Sequence, residues 1–294
     1  MTATARPARR RARRMPESAV AACFIAPAVL AMLVLRLAPA LGAIWSSLDV
    51  PGGLGFGNFI FLFGDPEFLG ALKVTLLYTV LVNPIQIALA LGLALLLNET
   101  LPAGGLWRTL ILLPVAVPQS VSAIIWGVIL RPDGPLNAVL QAIGIGAQPF
   151  LTSPTQSLAC IILICSWVGV GYWMTFLIAG LKDIPISLYE AAAIDGANFW
   201  QRLVYITLPQ LRRPLTFVLV ADTVSNFLVF APVQILTKGG PDGSTNLIMN
   251  EIYTRAFVSG DATGAAAGTV VLVFVVIAVV AVQFRLMTRK AGEA

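Results

Sequence analysis

Polar side chains inside long apolar runs are the residues of this chain that could do chemistry. Amides and a carboxylate could exchange hydrogen bonds with a hydroxyl-bearing solute, and indole rings could stack on its C–H faces. Asp222, Ser225 and Asn226 fall on one predicted helix face. The candidates for a solute pathway, with the last two as the strongest, are Asn83, Gln86, Trp126, Asp222, Asn226 and Gln234. The alternative is that these groups bond between helices and that the tryptophans lie at the headgroup level.

The composition argues against catalysis within this chain. Histidine is absent, which removes the commonest general base and metal ligand. The cysteines Cys23, Cys160 and Cys165 lie in apolar runs, without metal or disulfide spacing. The sequence has no G-x-x-x-x-G-K-[ST] motif for cradling phosphates. We therefore predict no catalytic residue, no metal site and no cofactor here, so any ATP with its Mg²⁺ would be held by another subunit.

The elements that must position the polar side chains are predicted to be membrane-spanning helices. The chain is 58% apolar and 11% charged, with a mean hydropathy of +0.87; globular proteins are about 25% charged. A bilayer core needs about 20 apolar residues per helix. Runs of that length predict an all-α, polytopic protein with six spans, at 20–48, 71–97, 108–130, 156–180, 213–236 and 264–287.

The distribution of positive charge predicts the orientation in the membrane. Arginine and lysine concentrate in residues 1–18, in the 181–212 loop and after residue 284, which predicts that both termini and this loop are cytoplasmic. The arginine-rich tail is expected to set this topology, and the alternative, nucleic-acid binding, is not expected of so short an arm. A cleaved signal peptide is a further alternative, because 38–40 resembles a cleavage site, but the 20–48 run is too long for one.

The longest polar interruption, at 187–209, predicts two short helices joined by a turn. Ser187 with Glu190 has the pattern of a capping box, and Asn198 with Gln201 repeats it. Gly196 lies where a left-handed residue would end the first helix. The second helix is predicted to carry one apolar stripe at i, i+4 and i+7, formed by Phe199, Leu203 and Ile206.

The spacing of this interruption (E-A-A, three residues, G, nine residues, I-x-L-P) resembles the cytoplasmic coupling loop of ABC importer permeases. In that family the loop docks into a groove on a separate ATPase subunit. The resemblance implies a type I ABC importer permease architecture, in which alanines allow close approach and the glycine forms a hinge. It assigns ATPase coupling to Glu190, Ala191, Ala192, Asp195, Gly196, Ile206, Leu208 and Pro209. The alternative is an ordinary connector whose alanines only pack.

Three further segments resemble carbohydrate-uptake permeases of that family, similar to the first permease subunit of maltose or glycerol-phosphate importers. They are GDPEF at 64–68, LLPVAVPQSVSAIIWGVI at 112–129, and TKGGP at 237–241 with Ser244 and Thr245 after it. The resemblance implies a non-enzymatic permease for a sugar or related polyol. Its implied partners are a second, similar permease in a heterodimer, two ABC ATPase subunits, an extracytoplasmic solute-binding protein and the lipid of a bacterial-type cytoplasmic membrane.

The chain is expected to divide into an arginine-rich tail (1–18), a first span with an outer ledge (19–70), a permease core (71–287) that includes the coupling loop, and a C-terminal tail (288–294). The outer loops could cap the bundle or form a landing surface for the binding protein. An importer of polyamines, peptides or anions would keep the same coupling loop. An ion-coupled secondary carrier is a further alternative, although we find no inverted repeat.

Arg36 is the one charge predicted to lie well inside the first span. Its side chain could snorkel to the outer interface, pair with Asp222 or contact an anionic group of the solute.

Overall fold

The computed structural model describes residues 17–98 and 102–289, with side chains described for 22–98 and 102–287. Nearly all of the predicted arginine-rich tail and most of the predicted C-terminal tail lie outside the described residues. Helices make up most of the described chain, and the two short strands, β1 (Asp49–Val50) and β2 (Gly53–Leu54), form one antiparallel hairpin. The predicted all-α class is therefore confirmed.

The α-helices, numbered in chain order, are α1 (Glu17–Met32), α2 (Ala38–Leu48), α3 (Gly57–Gly64), α4 (Pro66–Asn98), α5 (Gly104–Leu112), α6 (Gln119–Ile129), α7 (Pro135–Ala142), α8 (Ser157–Lys182), α9 (Ile186–Ile194), α10 (Phe199–Arg202), α11 (Leu208–Gln210), α12 (Arg212–Phe227), α13 (Ala231–Leu236), α14 (Ile248–Tyr253) and α15 (Ala262–Arg289). Short π-helical turns join some of them, at Leu33–Leu37, Leu203–Thr207 and Thr254–Val258, and 3-10 turns lie at Leu113–Ala116 and Phe150–Thr152.

Five helical segments of the described residues are long and apolar enough to cross a membrane, and a bent pair makes a sixth crossing if it is counted as one span. The five segments are Ala22–Leu48, Pro66–Asn98, Ser157–Lys182, Arg212–Leu236 and Ala262–Met287. The segments agree with five of the six spans predicted from hydropathy.

The predicted span at 108–130 is a bent pair of helical segments rather than one straight helix. Two segments, Gly104–Ala116 and Gln119–Ile129, meet there at 98°. Pro118 lacks an N–H and disfavours a helical conformation at the residue before it. Val117 accordingly is extended, with φ −87° and ψ 125°. Hydropathy alone does not register this break, because both arms are apolar.

The interior forms where α4, α8 and α12 pack together. Ala90 and Ala94 of α4 are fully buried against Met174 and Leu177 of α8, because small side chains let the two helices approach closely. Gly180 does the same between α8 and α12, since a Cβ there would lie 2.6 Å from the Pro214 ring. These close contacts fix the helices that carry the polar candidates.

The first span has an exposed apolar surface. The membrane-crossing window of Ala22–Leu48 is not buried within the chain, and contact with the rest of the bundle is made by α2 against α15. Arg36 lies in the π-helical turn of this span and is exposed. A surface of this kind is what a helix facing lipid or another membrane subunit presents.

Candidate functional site

The predicted coupling loop, residues 186–210, is a pair of short helical arms joined at a glycine. α9 ends at Ile194, and Gly196 has the left-handed φ of +75°. The N–H of Ala197 then donates to the Ala192 carbonyl at 2.8 Å, which closes the end of the helix. The predicted helix–glycine–helix geometry is confirmed.

One of the two predicted helix caps is present. The side chain of Asn198 accepts from the Gln201 N–H at 2.9 Å, and the Gln201 side chain accepts from the Asn198 N–H at 2.8 Å. The predicted Ser187 cap is wrong, because α9 begins earlier and Pro185 occupies the N-cap position without a side-chain bond. Ser187 therefore lies inside the first turn.

The predicted apolar stripe on the second arm is confirmed in part. Leu203 and Ile206 are half-buried and Ile206 packs against the interior, whereas Phe199 is 55% exposed. The π-helical turn at Leu203–Thr207 also turns Thr207 inwards. Thr207 is 3% exposed and its hydroxyl bonds to the hydroxyl of Tyr189 at 2.9 Å. This bond between α9 and the second arm was missed, because neither residue stands out in the sequence.

The outer face of the coupling loop carries large exposed apolar side chains. Ile194 is 88% exposed, Tyr205 77% and Trp200 70%. The predicted coupling residues Glu190, Ala191, Asp195 and Pro209 are also exposed, whereas Ala192, Ile206 and Leu208 are half-buried. Large exposed apolar side chains on an ordered element are typical of a contact with another protein or with lipid, and the sequence did not predict the aromatic residues among them.

A second candidate site is a buried polar network between α4 and α12. Asn226, 4% exposed, donates from Nδ2 towards three acceptors: Asn83 Oδ1 at 2.8 Å, Asp222 Oδ1 at 3.0 Å and Gln86 Oε1 at 3.2 Å. Its Oδ1 accepts from the Tyr78 hydroxyl at 3.3 Å. Four of the six predicted pathway residues thus converge, and in this conformation they are buried and bonded to one another.

The network extends to α15 through a residue that the sequence argument missed. Thr223, fully buried, accepts from Asn83 Nδ2 at 2.6 Å and from Gln283 Nε2 at 2.9 Å. Ser225, which was predicted to share the inner face, is exposed and bonds only to its own helix, at the Ala221 carbonyl. The buried face of α12 therefore includes Thr223 instead of Ser225, so it is rotated slightly from the predicted face.

The other two predicted pathway residues lie elsewhere. Trp126 packs edge-on against Trp167, with ring centroids 5.7 Å apart, on the wall of an apolar groove of about 960 Å³. Gln234 is half-buried on α13. The structure does not bring either residue into the network around Asn226.

An ion cluster joins the segments at the opposite end of the bundle from the coupling loop. Arg255, 8% exposed, contacts Asp65 and Glu251, the latter at 2.8 Å, and lies 3.5 Å from Asp261. Among the described residues every ion pair within 4 Å includes this arginine, so the alternative that Arg36 pairs with Asp222 is wrong.

Charge and burial act in opposite directions on the pKa values of this cluster. Burial alone would raise the pKa of Asp65, but the hydrogen bond from Arg255, backbone N–H donors and the Arg255 charge hold it below its ordinary value. Burial alone would lower the pKa of Arg255, but Asp65 and Glu251 raise it. Asp65 and Arg255 therefore stay ionised near neutral pH. Within the described residues, no group of three or more His, Cys, Asp or Glu side chains could hold a metal ion.

Sequence comparisons match nearly the whole chain. The family model described as binding-protein-dependent transport system inner membrane component matches residues 86–291. The sn-glycerol-3-phosphate transport system permease protein of Agrobacterium fabrum is 31% identical, over 94% of this chain and 97% of that protein. The lactose transport system permease protein of Rhizobium radiobacter is 36% identical, over 80% of this chain and 82% of that protein.

Solved structures show the same fold. One chain of a bacterial alginate ABC transporter, solved with a periplasmic protein that holds an alginate pentasaccharide, has a TM-score of 0.85 and 24% identity, over 95% of this chain and 96% of that chain. A second structure of a bacterial alginate importer has a TM-score of 0.81 and 23% identity, over 93% and 96%. This chain therefore has the overall fold of these two transporter chains.

Proposed function

This chain belongs to the family of binding-protein-dependent transport system inner membrane components, and from that premise we propose that it is the permease subunit of an ATP-driven importer for a sugar or related polyol. The relatives named for lactose and for glycerol phosphate support this solute class, and the match covers most of the chain. The family and the fold agree with the resemblance seen in the sequence. The chain is a multi-pass membrane protein of a transport system, not an enzyme.

The observation that carries the proposal is the exposed pair of helical arms at 186–210. A membrane protein that only needed to connect two spans would not expose Ile194, Trp200 and Tyr205 on a rigid, capped turn. Exposed apolar residues on an ordered element are typical of a docking surface. Its occupant, we infer, is a separate ATPase subunit that holds ATP with Mg²⁺, because this chain has no phosphate-binding loop.

The proposed assembly contains this chain and a second, similar permease as a heterodimer, two ATPase subunits and the solute-binding protein that the family name implies. The positive-inside rule supports cytoplasmic termini and a cytoplasmic coupling loop. The outer segments, with the Arg255 cluster among them, then face the binding protein.

The proposed mechanism is alternating access driven through the coupling loop. ATP would close the ATPase dimer and shift the grooves that hold the coupling helices of the two permeases. Ala191 and Ala192 would provide close contact, Glu190 would orient the loop or pair with a basic group, and Gly196 would act as the hinge. The helix bundles would then rock from an inward-open to an outward-open state, which exposes a midplane cavity to the binding protein.

The polar network is proposed as a closed part of the solute path. Separation of α4 from α12 would free the amides of Asn83, Gln86 and Asn226 together with the Asp222 carboxylate. A solute hydroxyl can donate and accept at once, so it could replace these interhelical bonds without leaving a buried group unpaired. Gln234 and Trp126 would belong to other parts of the path.

The coupling role is tested by Gly196→Val. A Cβ added at Gly196 meets nothing within 4 Å, so the substitution acts on the backbone, where a left-handed β-branched residue is strained by about 1–2 kcal/mol. Gly144→Val is the matched control, since Gly144 also has positive φ and open space but lies between α7 and α8. We expect normal insertion of both variants, and loss of ATPase co-purification and of transport for Gly196→Val alone. Normal transport by Gly196→Val would contradict the hinge.

The solute class is tested with the assembled complex in proteoliposomes. Stimulation of ATP hydrolysis by the loaded binding protein is expected with an oligosaccharide or a polyol, or with the phosphate ester of one. Stimulation by a polyamine or a peptide alone would keep the permease role and overturn the solute class.

A further inference from the structure

A groove lies where the start of α12 meets the end of α15. It has a volume of about 540 Å³, and its wall combines Arg212 and Arg213 with apolar side chains that include Phe217, Phe284 and Met287. Phe217 is 54% exposed and Phe284 55% exposed, so both contribute accessible apolar surface to this wall. The groove is thus basic at the end of the helices and apolar along their length.

Arg212, at the head of this groove, has a donor that is not satisfied within the described chain. Nη2 of Arg212 is buried and has no hydrogen-bond partner, and a buried donor without a partner is costly. Neither arginine has a carboxylate within 4 Å among the described residues, where every ion pair contains Arg255. Both also lie in the first turn of α12, where the helix dipole favours anions. An anion in this groove would offset the positive charge of the two arginines.

A neighbouring groove shows which side an anion would occupy. That groove, of about 700 Å³, is also lined by both arginines, but Asp183 contributes a carboxylate to its wall. The groove between α12 and α15 has no acidic residue in its lining. The Thr216 hydroxyl there donates to the Arg212 carbonyl at 2.8 Å, so the guanidinium groups are the available donors. The side facing α15 therefore suits a phosphate.

We propose that this groove is a binding site for an anionic phospholipid. The phosphate would lie on Arg212 and Arg213, and an acyl chain would lie along Phe217 and Phe284. A free phosphate offers the same charge but has no acyl chain to cover the apolar wall, so we commit to the lipid. Basic pockets between membrane helices on the cytoplasmic side take such headgroups. The site uses the cytoplasmic placement proposed above and is independent of the solute.

The site has a mechanical consequence. α12 begins directly after α11, the last helix of the coupling segment. A phospholipid on Arg212 and Arg213 would hold the start of α12 at the level of the headgroups while the coupling arms move. The bound lipid would therefore fix the point about which the coupling arms move.

The experiment is native mass spectrometry of the assembled transporter with phosphatidylglycerol, phosphatidylcholine or inorganic phosphate. Arg212→Gln with Arg213→Gln should weaken phosphatidylglycerol binding about 30-fold, at about fivefold for each arginine. The control pair, Arg131→Gln with Lys238→Gln, removes the same charge from the other end of the bundle and should change it less than twofold.

The other ligands and variants test specificity for the lipid. Phosphatidylcholine and inorganic phosphate should bind at least tenfold more weakly than phosphatidylglycerol. Phe217→Ser with Phe284→Ser should weaken lipid binding while both arginines stay in place.

If the double arginine variant fails to assemble, Arg213→Gln alone, at an exposed side chain, should still weaken binding about fivefold. Equal binding of the two lipids, or equal binding by wild type and the arginine variants, would overturn the proposal. Tight binding of inorganic phosphate would assign the site to a free anion instead.

Discussion

Asn226 is the central residue of the membrane interior because its amide donates and accepts at the same point. It links Tyr78, Asn83 and Gln86 of α4 to Asp222 of its own helix. The sequence predicted these partners, apart from the tyrosine, since polar side chains inside spans turn towards the bundle interior. It did not predict Thr223 in place of Ser225, because both choices fit a helical period and packing against α15 decides between them.

Replacement of Asn226 by leucine tests the network. The change removes one donor group and leaves three buried acceptors without it, so we expect destabilisation of about 1–3 kcal/mol. Ser225→Ala, one residue earlier and exposed, should stay within about 0.5 kcal/mol of wild type. The measurement is the unfolding free energy in detergent. Equal effects of the two substitutions would contradict the network as a structural element.

The Arg255 cluster predicts a loss of stability in acid. The pKa of Asp65 is lower in the folded protein than in the unfolded chain, so the folded state binds fewer protons there. Its contribution is therefore fully present above the ordinary pKa of about 3.9 and is lost as the pH falls through the lower, folded value. The thermal midpoint should fall more steeply below about pH 4 for wild type than for Asp65→Asn. Parallel curves would contradict the assigned shift.

At the scale of elements, local sequence patterns specified some boundaries and not others. Asn198 with Gln201 forms its capping box, whereas the same pattern at Ser187 does not, because Pro185 starts that helix earlier. Both sequences match the capping-box pattern equally well, and only the path of the chain into α9 decides which of the two caps forms. Pro118, which causes the break in the third span, is visible in the sequence. Hydropathy does not reveal the break, because both helical segments are apolar.

The bent third span is held in place by a glycine of α8. A Cβ on Gly171 would lie 2.5 Å from the Ile111 carbonyl oxygen of α5, so Gly171→Ala must push the two helices apart. We expect a loss of about 1–3 kcal/mol, as for other overpacked sites. Gly92→Ala is the control, since a Cβ there meets nothing within 4 Å in α4, and alanine should stabilise by about 0.5–1 kcal/mol. Unfolding in detergent compares the two, and a neutral Gly171→Ala would contradict the close packing.

At the scale of the whole molecule, the first span and the coupling arms leave apolar surface exposed, which is available for contact with lipid or with other subunits. The first span contributes no buried surface in its membrane-crossing window, and the coupling arms expose aromatic residues beyond the bundle. Composition and hydropathy were enough to predict a polytopic membrane protein, and the E-A-A spacing predicts where a contact surface for an ATPase would lie. The residues of that surface with the largest exposed areas became visible only in the folded chain.

The central claim is that the α9–α10 arms dock on an ATPase and move with its nucleotide state, and a cross-link tests this most directly. With Cys23, Cys160 and Cys165 replaced, a cysteine substituted for the 88% exposed Ile194 would be paired with cysteines along the helical groove of the candidate ATPase. Val139→Cys is the control. Val139 is 59% exposed and lies on α7, which precedes α8, whereas α9 follows α8, so the two positions lie at opposite ends of that span. We predict a cross-link from position 194 whose yield changes with ATP, and none from position 139. An assembled complex that gives no cross-link from position 194 would contradict the docking role of these arms.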